Sequence, residues 1–339
     1  MMELRTKIIS VLRLSLIGMA AMAGLTFNAS AETIELKVSH YLPPNHTFQK
    51  VLLNWGEELN KKSNGRLILK VFPAGQMGPP QRQFDLARTG VADISVGLTG
   101  TMPGRFPLTE ISNLPFMVTN STKTSKALSE LAPKYLASEY PGVKILYMMT
   151  TKPLSFFMAK AKINAMEDFK GLRIRYAGDV FGSSLKAFGG TPLAVKPGDI
   201  SDALSKGTID GTMFDYEAAQ SFQLGGVVKY TYEPGSNAAS FFVVMNTQSY
   251  ERLPPDLRAL IDQTTGPAAG ELMGKALDEA ETEGRAYMIS KGDQIVQFSD
   301  KTKREMQNAV KPLIEEELNR LEAQGMPARH IYNALLKAK

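Results

Sequence analysis

Two arginines share one face of a short segment whose pattern is that of a β-strand. In "DFKGLRIRYAG" (168–178), Arg173 and Arg175 alternate with leucine, isoleucine and tyrosine. This period of two predicts a strand with one apolar face. A guanidinium group donates two parallel hydrogen bonds to a carboxylate and stays charged at neutral pH. The pattern leaves two interpretations open: an ion pair inside the protein, or a receptor site for an anionic ligand.

The sequence lacks the common motifs of catalysis and metal binding. It has no cysteine, and its three histidines are not spaced as metal ligands. The segment "FGSSL" (181–185) is the nearest to a serine-nucleophile motif, but it does not match the GxSxG pattern. We therefore predict a protein that is not an enzyme and has no metal or cofactor. An enzyme acting on organic acids would need a general base, for which Asp179, Asp199 and His40 are the candidates.

A few other residues could line a ligand site near such an arginine. His40 and Tyr41 follow the first predicted strand, at the strand end where open α/β sheets place their ligand loops. His40 could contact a ligand, or it could be a loop histidine that the protein itself satisfies. Asp215 and Glu217 could accept a hydrogen bond from a ligand hydroxyl, or they could lie at a hinge or on the surface.

The amino terminus has the three parts of a secretory signal peptide. Basic residues precede the apolar stretch Leu14–Leu25, and "ASA" (29–31) supplies the small residues of a cleavage site. We predict cleavage after residue 31, with an uncleaved membrane anchor as the alternative. Because the sequence has no cysteine for a disulfide or a lipid anchor, we predict that the protein resides in the periplasm of a Gram-negative bacterium.

Length, charge and element order indicate a two-domain α/β protein. About 308 residues follow the predicted signal peptide, which is more than one core usually holds. The net charge of the whole chain is +5 and no basic cluster is interleaved with aromatic residues, so we predict no nucleic-acid partner. The elements begin β-α-β-α-β, as in an open α/β sheet. They end in a long helix over Asp256–Ile289 and a charged helical segment over about 300–336.

Five segments spread over the mature chain match the motifs of one protein family. They are "NGRLILKVFPAGQMG" (64–78), "RTGVADISVG" (88–97), "NLPFM" (113–117), the block "DFKGLRIRYAG…FGGTPLAV…DALSKGTIDG" (168–211) and "LPPDLRALID" (253–262). Together they resemble the substrate-binding proteins of TRAP transporters, DctP type. The fourth block is the most specific of the five.

The resemblance implies an α/β, two-domain periplasmic-binding-protein (Venus-flytrap) fold with a long domain-bridging helix. With the predicted elements, it places domain I at 32–152, completed by about 241–275, and domain II at 153–240, completed by about 276–339. It implies that the domains close around an organic carboxylate. The partner would be an integral-membrane permease with small and large subunits. Arg175 aligns with the near-invariant arginine of this family that binds the ligand carboxylate.

Two departures from the family pattern bear on the ligand. Many relatives have a second arginine upstream, where this chain has "PLSFF" (153–157), and Phe214 stands where many have an asparagine. A pocket without a second cation would make a second carboxylate costly to bury. We therefore predict a bulky or aromatic monocarboxylate as the ligand, with Phe156 and Phe214 lining its site unless they are core residues. The alternatives are a C4-dicarboxylate or keto acid, or an enzyme of organic acids.

Overall fold

Two β-sheets organise residues 33–339, the part of the chain that the computed structural model describes. In chain order the strands are β1 (Ile34–Ser39), β2 (Leu67–Phe72), β3 (Ile94–Leu98), β4 (Val143–Thr150), β5 (Ser155–Met158), β6 (Arg173–Tyr176), β7 (Thr191–Ala194), β8 (Gly211–Phe214), β9 (Tyr230–Glu233), β10 (Ser240–Asn246) and β11 (Gln294–Gln297). The first sheet has the spatial order β2-β1-β3-β10-β4, and the second has the order β11-β9-β5-β8-β6-β7. The predicted signal peptide, residues 1–31, lies outside the described residues.

Helices connect most of these strands. In chain order they are α1 (Thr47–Lys62), α2 (Gln83–Arg88), α3 (Ser121–Leu131), α4 (Asp179–Ala187), α5 (Ile200–Ser205), α6 (Tyr216–Ser221), α7 (Thr247–Glu251), α8 (Pro255–Gln263), α9 (Pro267–Ser290), α10 (Asp300–Ala323) and α11 (Ala328–Lys337). No helix between residues 33 and 339 is both long enough and apolar enough to span a bilayer. Each sheet with its helices is called a lobe below.

Strand direction decides which loops meet at one edge of each sheet. β1 runs parallel to β3, and β6 runs parallel to both β7 and β8. β10 is antiparallel to β3 and places Phe241 opposite Leu98. The carboxyl ends of β1 and β3 therefore lie at the same edge as the first residues of β10. This is the edge at which open α/β sheets bind ligands.

An aromatic cluster holds the core of the first lobe together. The rings of Phe106 and Tyr140 stack with centroids 4.7 Å apart, and Phe84 and Phe242 pack edge-on beside them. The ring of Phe242 lies directly over Gly97 on the adjacent strand, where a Cβ would come within 2.2 Å of it. Glycine at this position therefore makes room for the ring of Phe242.

The last helix packs with the first lobe. Ile331 and Leu335 lie one turn apart on α11 and are fully buried in the core that contains Leu128 and Leu136 of the first lobe. β11, by contrast, does join the second sheet, beside β9. The division of the remaining chain into domains at the predicted residues stays a prediction.

The long helix predicted over Asp256–Ile289 is in fact two helices, α8 and α9. Between them Gly266 has a φ of +80°, and Pro267 lacks the backbone N–H that would continue the hydrogen-bond ladder. α9 alone has 24 residues and is about 36 Å long. The segment predicted as helical over about 300–336 is divided in the same way, at Gly325 with a φ of +78°.

α9 bridges the two lobes through very close backbone contacts. It packs against α3 of the first lobe and α6 of the second. A Cβ at Gly274 would lie 2.6 Å from the carbonyl oxygen of Ser121, and one at Gly284 would lie 2.2 Å from that of Tyr216. Only glycine lets the helix approach both partners this closely.

Two carboxylates on α9 also cap one helix in each lobe. Asp278 accepts hydrogen bonds from the backbone N–H groups of Ser121 (3.2 Å) and Thr122 (2.9 Å), at the start of α3. Glu281 accepts one from the backbone N–H of Glu217 (2.9 Å), at the start of α6. Carboxylates satisfy the free N–H groups of a helix N-terminus and interact favourably with its dipole. α9 is therefore attached to both lobes by polar contacts as well as by packing.

We predict that Gly284→Ala destabilises the protein. Helix propensity alone favours alanine by about 1 kcal/mol, but the new methyl group must displace the backbone at Tyr216, and overpacking of this kind costs about 1–3 kcal/mol. Chemical denaturation should show a lower free energy of unfolding. Gly198→Ala is the matched control, because a Cβ there would meet no atom within 4 Å. A Gly284→Ala protein as stable as the wild type would contradict the close packing of α9.

Candidate ligand-binding site

A cavity lies between the two lobes at the strand edges described above. The space between its walls, including the part that is continuous with open solvent, is about 500 Å³. The first lobe lines it with Tyr41, Leu42, His46, Phe48, Leu98, Thr151, Ala239 and Phe241. The second lobe lines it with Leu154, Arg175, Ala177, Pro197, Phe214, Asp215, Ala218 and Phe222, and α9 adds Leu277. Most of these side chains are apolar, and charged groups are few.

The two arginines of β6 have different surroundings. Arg173 forms a two-pronged pair with Asp210, in which Nε donates to Oδ2 at 3.0 Å and Nη2 donates to Oδ1 at 2.8 Å. Its side chain is 43% exposed. Arg173 is therefore the structural ion pair that the strand pattern left open as one interpretation.

Arg175 is only 3% exposed and takes part in no ion pair within residues 33–339. Its Nε donates to the carbonyl oxygen of Val195 at 3.2 Å, while its buried Nη1 has no hydrogen-bond partner in the described structure. The guanidinium carbon lies 5.3 Å from the centre of the Phe214 ring, within cation–π range. Burial lowers the pKa of Arg175 to about 10, so the group is still charged at neutral pH. This cation can bind an anion that enters the cavity.

Aromatic rings form much of the remaining wall. Phe48 and Phe241 of the first lobe pack at 4.9 Å between centroids, and Phe214 and Phe222 of the second lobe pack at 5.7 Å. Phe214 lines the cavity beside Arg175. These rings offer flat apolar surfaces to a ligand, and burying such surface stabilises a complex by about 25 cal/mol per Å².

Asp215 and Tyr41 bring polar groups to the same wall. Asp215 is 9% exposed and caps α6, where its Oδ1 accepts a hydrogen bond from the backbone N–H of Ala218 at 2.7 Å. Burial, reinforced by the nearby Glu217, raises the pKa of Asp215 to about 6. Burial also raises the pKa of Tyr41 above its ordinary value, so that its hydroxyl stays protonated. Both predicted site residues therefore lie at the cavity.

Glu217 joins the lobes beside the cavity. Its Oε1 accepts from the backbone N–H of Thr47 (2.8 Å), the Thr47 hydroxyl (3.1 Å) and the Ser221 hydroxyl (3.0 Å), and its Oε2 lies 2.7 Å from His46 Nε2. His46 Nδ1 accepts from the backbone N–H of Phe48, so the proton of a neutral imidazole is on Nε2 and points to Glu217. Burial alone would raise the pKa of Glu217, but His46 and these hydrogen bonds outweigh it and the pKa lies below its ordinary value.

Two of the predicted site residues do not line the cavity. His40 is fully buried, and its Nε2 lies 2.6 Å from Gln49 Oε1, so it faces the protein interior. Phe156 is also fully buried and packs edge-on against the rings of Phe169, Phe188 and Phe298. Their positions favour the structural alternatives, a satisfied loop histidine and a core phenylalanine.

Several wall residues are not marked by any pattern used above. Leu98 and Phe241 belong to the wall because they are opposite each other at the ligand edge of the first sheet. The signal available was the position of Leu98 at the end of a parallel strand, where ligand loops begin. No comparable signal marks Thr151 or Phe222, which reach the cavity through the packing of separate elements.

Comparison with known proteins agrees with this architecture. The sequence profile described as bacterial extracellular solute-binding protein, family 7 (DctP), matches residues 38–320. A TRAP solute-binding protein from Rhodoferax ferrireducens T118, solved with copurified benzoate, is 28% identical. Its TM-score is 0.84, over 90% of this chain and 97% of that chain.

Two further solved structures are similar to the same extent. A marine metagenome TRAP solute-binding protein specific for aromatic acid ligands, solved with 3-hydroxybenzoate, is 28% identical. Its TM-score is 0.86, over 91% of this chain and 98% of that chain. A TRAP solute-binding protein from Bordetella bronchiseptica, solved with (R)- and (S)-mandelate, is 27% identical. Its TM-score is 0.84, over 90% of this chain and 98% of that chain.

These matches confirm the family resemblance and the two-domain α/β fold that the sequence predicts. The profile covers most of the chain, including β6 with Arg175 and the α6 turn with Asp215. The chain belongs to the DctP family of bacterial extracellular solute-binding proteins, the substrate-binding components of TRAP transporters.

Proposed function

We propose that this protein is a periplasmic receptor that binds an aromatic monocarboxylate and delivers it to a TRAP-type permease. The observation that carries the proposal is the buried Arg175, whose Nη1 has no partner in the described structure and which adjoins a cavity walled by aromatic rings. An unpaired buried cation is costly, and a ligand carboxylate would supply the missing hydrogen bonds.

The charges on the cavity wall favour one carboxylate over two. Arg175 is the only arginine or lysine among the wall residues of the described chain. A second carboxylate would have no cation to pair with and would be buried near Asp215. The three relatives above were solved with benzoate, 3-hydroxybenzoate and mandelate, each an aromatic acid with a single carboxylate.

Closure of the lobes would complete the site. The wall takes residues from both lobes, and Glu217 and Thr47 are hydrogen-bonded across the gap. The loop after β3 also touches the loop after β6, where a Cβ at Gly100 would lie 2.4 Å from the carbonyl oxygen of Ala177. A ligand that contacts both lobes favours this closed arrangement by its differential affinity for it.

Receptor function without catalysis is part of the proposal. Of the candidate bases, His40 faces Gln49 in the interior, and neither Asp179 nor Asp199 lines the cavity. A general base must come within hydrogen-bond reach of its substrate.

Incubation of the protein with a bound aromatic acid should return the acid unchanged, whereas a new product would favour an organic-acid enzyme.

Ligand class is tested by thermal melting of refolded, ligand-free protein against organic acids. We expect benzoate or a substituted benzoate to raise the midpoint by several degrees, since a ligand at a thousand times its Kd adds about 4 kcal/mol. Succinate, malate and 2-oxoglutarate should have little effect, because the wall has no cation for the second carboxylate. A larger shift with these dicarboxylates would favour the C4-dicarboxylate or keto-acid alternative.

The role of Arg175 is tested against its neighbour on the same strand. Arg175→Ala should weaken aromatic acid binding by about 30-fold or more, because removing one partner of a buried charge pair costs about 2 kcal/mol or more. Arg173→Ala is the matched control, since Arg173 pairs with Asp210, is partly exposed and does not line the cavity. Calorimetry should show wild-type affinity for the control within about twofold. Equal losses in the two variants would refute the assignment of Arg175.

Closure is tested at Glu217. Glu217→Gln should weaken binding of every ligand by about tenfold, mainly through faster dissociation, because a charge-assisted contact between the lobes is lost. Ser221→Ala removes a hydrogen bond to the same carboxylate from within α6 and should have a smaller effect. Stopped-flow kinetics separates the rates. An unchanged dissociation rate in Glu217→Gln would mean that this contact does not hold the lobes closed.

A further inference from the structure

Asp215 is the second charged side chain on the cavity wall, and its charge is not neutralised by an ion pair. It is buried, it borders the cavity, and no lysine, arginine or histidine within residues 33–339 forms an ion pair with it. Its Oδ1 accepts the capping hydrogen bond from the backbone N–H of Ala218. A carboxylate has room for about four hydrogen bonds, so one capping bond leaves most of its acceptor capacity free.

The groups that face Asp215 from other elements add little positive charge. Arg175 on β6 lies near enough for the two charges to influence each other, but beyond ion-pair distance. Tyr41, in the loop after β1, brings a protonated hydroxyl. His46 has its Nδ1 occupied as an acceptor and directs Nε2 to Glu217, so neither ring nitrogen is directed at Asp215.

The remaining neighbours are acids. Glu217, on the same helix, has a pKa below its ordinary value and is therefore ionised at neutral pH. Glu281, on α9, has a pKa well above its ordinary value because of burial and the nearby Asp215, which favours its protonated form. Among residues 33–339, no arginine or lysine other than Arg175 lines the cavity with Asp215, so an anionic ligand adds a further negative charge beside an acid. Burying a second negative charge beside an acid costs free energy unless a hydrogen-bond donor interacts with the acid or the acid is protonated.

We propose that Asp215 makes the site selective for aromatic monocarboxylates that carry a hydroxyl group. The ligand carboxylate binds Arg175, and the ligand hydroxyl donates a hydrogen bond to the Asp215 carboxylate. This inference rests on the proposed function and specifies the ligand class of the same site. It explains why a cavity with an otherwise apolar wall keeps an acid that does not pair with its cation.

An aromatic acid without a hydroxyl must bind in a different protonation state. Without ligand, the pKa of Asp215 is about 6. The carboxylate of the bound ligand is a nearby like charge, which raises that pKa further. Because the ligand offers no hydrogen-bond donor, Asp215 then takes up a proton from solvent. The affinity of the protein for an aromatic acid without a hydroxyl therefore falls as pH rises above about 6, by at most tenfold per pH unit. A hydroxylated acid stabilises the ionised carboxylate, so its affinity depends less on pH.

The experiment is titration calorimetry of refolded, ligand-free protein with benzoate, the three hydroxybenzoates, phenylacetate and mandelate. Each titration is done at pH 7 in phosphate and in Tris, whose different ionisation heats report proton uptake. For the wild type we expect at least one hydroxylated acid to bind about tenfold more tightly than its parent, because a hydrogen bond to a charged group stabilises by about 1.5–3 kcal/mol in general. We expect proton uptake with the parent acid and less with the hydroxylated acid.

Asp215→Asn keeps a side-chain oxygen for the helix cap but removes the charge. We expect it to bring the affinity ratio between hydroxylated and parent acid close to one and to abolish proton uptake. Glu217→Gln makes the same chemical change at a buried acid that does not line the cavity. It should weaken both acids and change their affinity ratio less than Asp215→Asn does, because Glu217 influences the ligand only through its charge.

The outcomes separate this inference from the proposed function. If aromatic acids bind but the hydroxyl brings no gain, or if Asp215→Asn keeps the wild-type ratio, the role of Asp215 is refuted and the receptor assignment stands. If no aromatic acid binds the wild type, the proposed function fails and this inference fails with it. If both variants change the ratio equally, the selectivity comes from the negative charge of the region and not from Asp215.

Discussion

The proposed binding capacity of the cavity depends on one buried guanidinium group, that of Arg175, which forms no ion pair with an acid of the described chain. Arg175 is held in place by one carbonyl oxygen and the face of one aromatic ring, which leaves a buried nitrogen without a partner in the described structure. Arg173 shows the alternative, because it lies two residues away and is fully paired with Asp210. Had an acid stood equally close to Arg175, the protein would have satisfied its own cation and lost much of the driving force for binding an external carboxylate.

Keeping such a group stable requires a rigid surrounding, and the two sheets with α9 provide it. β6 lies inside the second sheet between β7 and β8, so its backbone is fixed on both sides. α9 packs against both lobes at glycine positions and caps one helix in each with Asp278 and Glu281. A ligand that contacts both lobes, as proposed, would favour the closed state by its differential affinity for it, without refolding either lobe.

The sequence marks the proposed anchor of the site more clearly than the residues of its walls. Arg175 is identifiable because both the strand alternation and the family motif mark it. The position of Phe156 is not predictable in the same way. β5 is an inner strand whose side chains are buried on both faces. The pattern of a short apolar strand does not show which of its faces meets the cavity. Phe241 and Leu98 meet only through the antiparallel register of β10 and β3, which short-range sequence patterns do not contain. The break before α9, in contrast, is visible in the sequence as Gly266-Pro267.

The turn at the start of α6 carries, within residues 214–217, side chains of the proposed ligand site and a side chain that contacts the other lobe. Phe214 presents its ring to Arg175, Asp215 faces the cavity and caps the helix, and Glu217 reaches across to Thr47 of the other lobe. Glu281 of the bridging helix holds the same turn by its backbone. A ligand that packs against Phe214 or donates a hydrogen bond to Asp215 would therefore contact the short segment that also carries the contact between the lobes. Because these side chains share one backbone segment, we expect a ligand that fits the wall poorly also to leave Glu217 poorly placed to hold the lobes together.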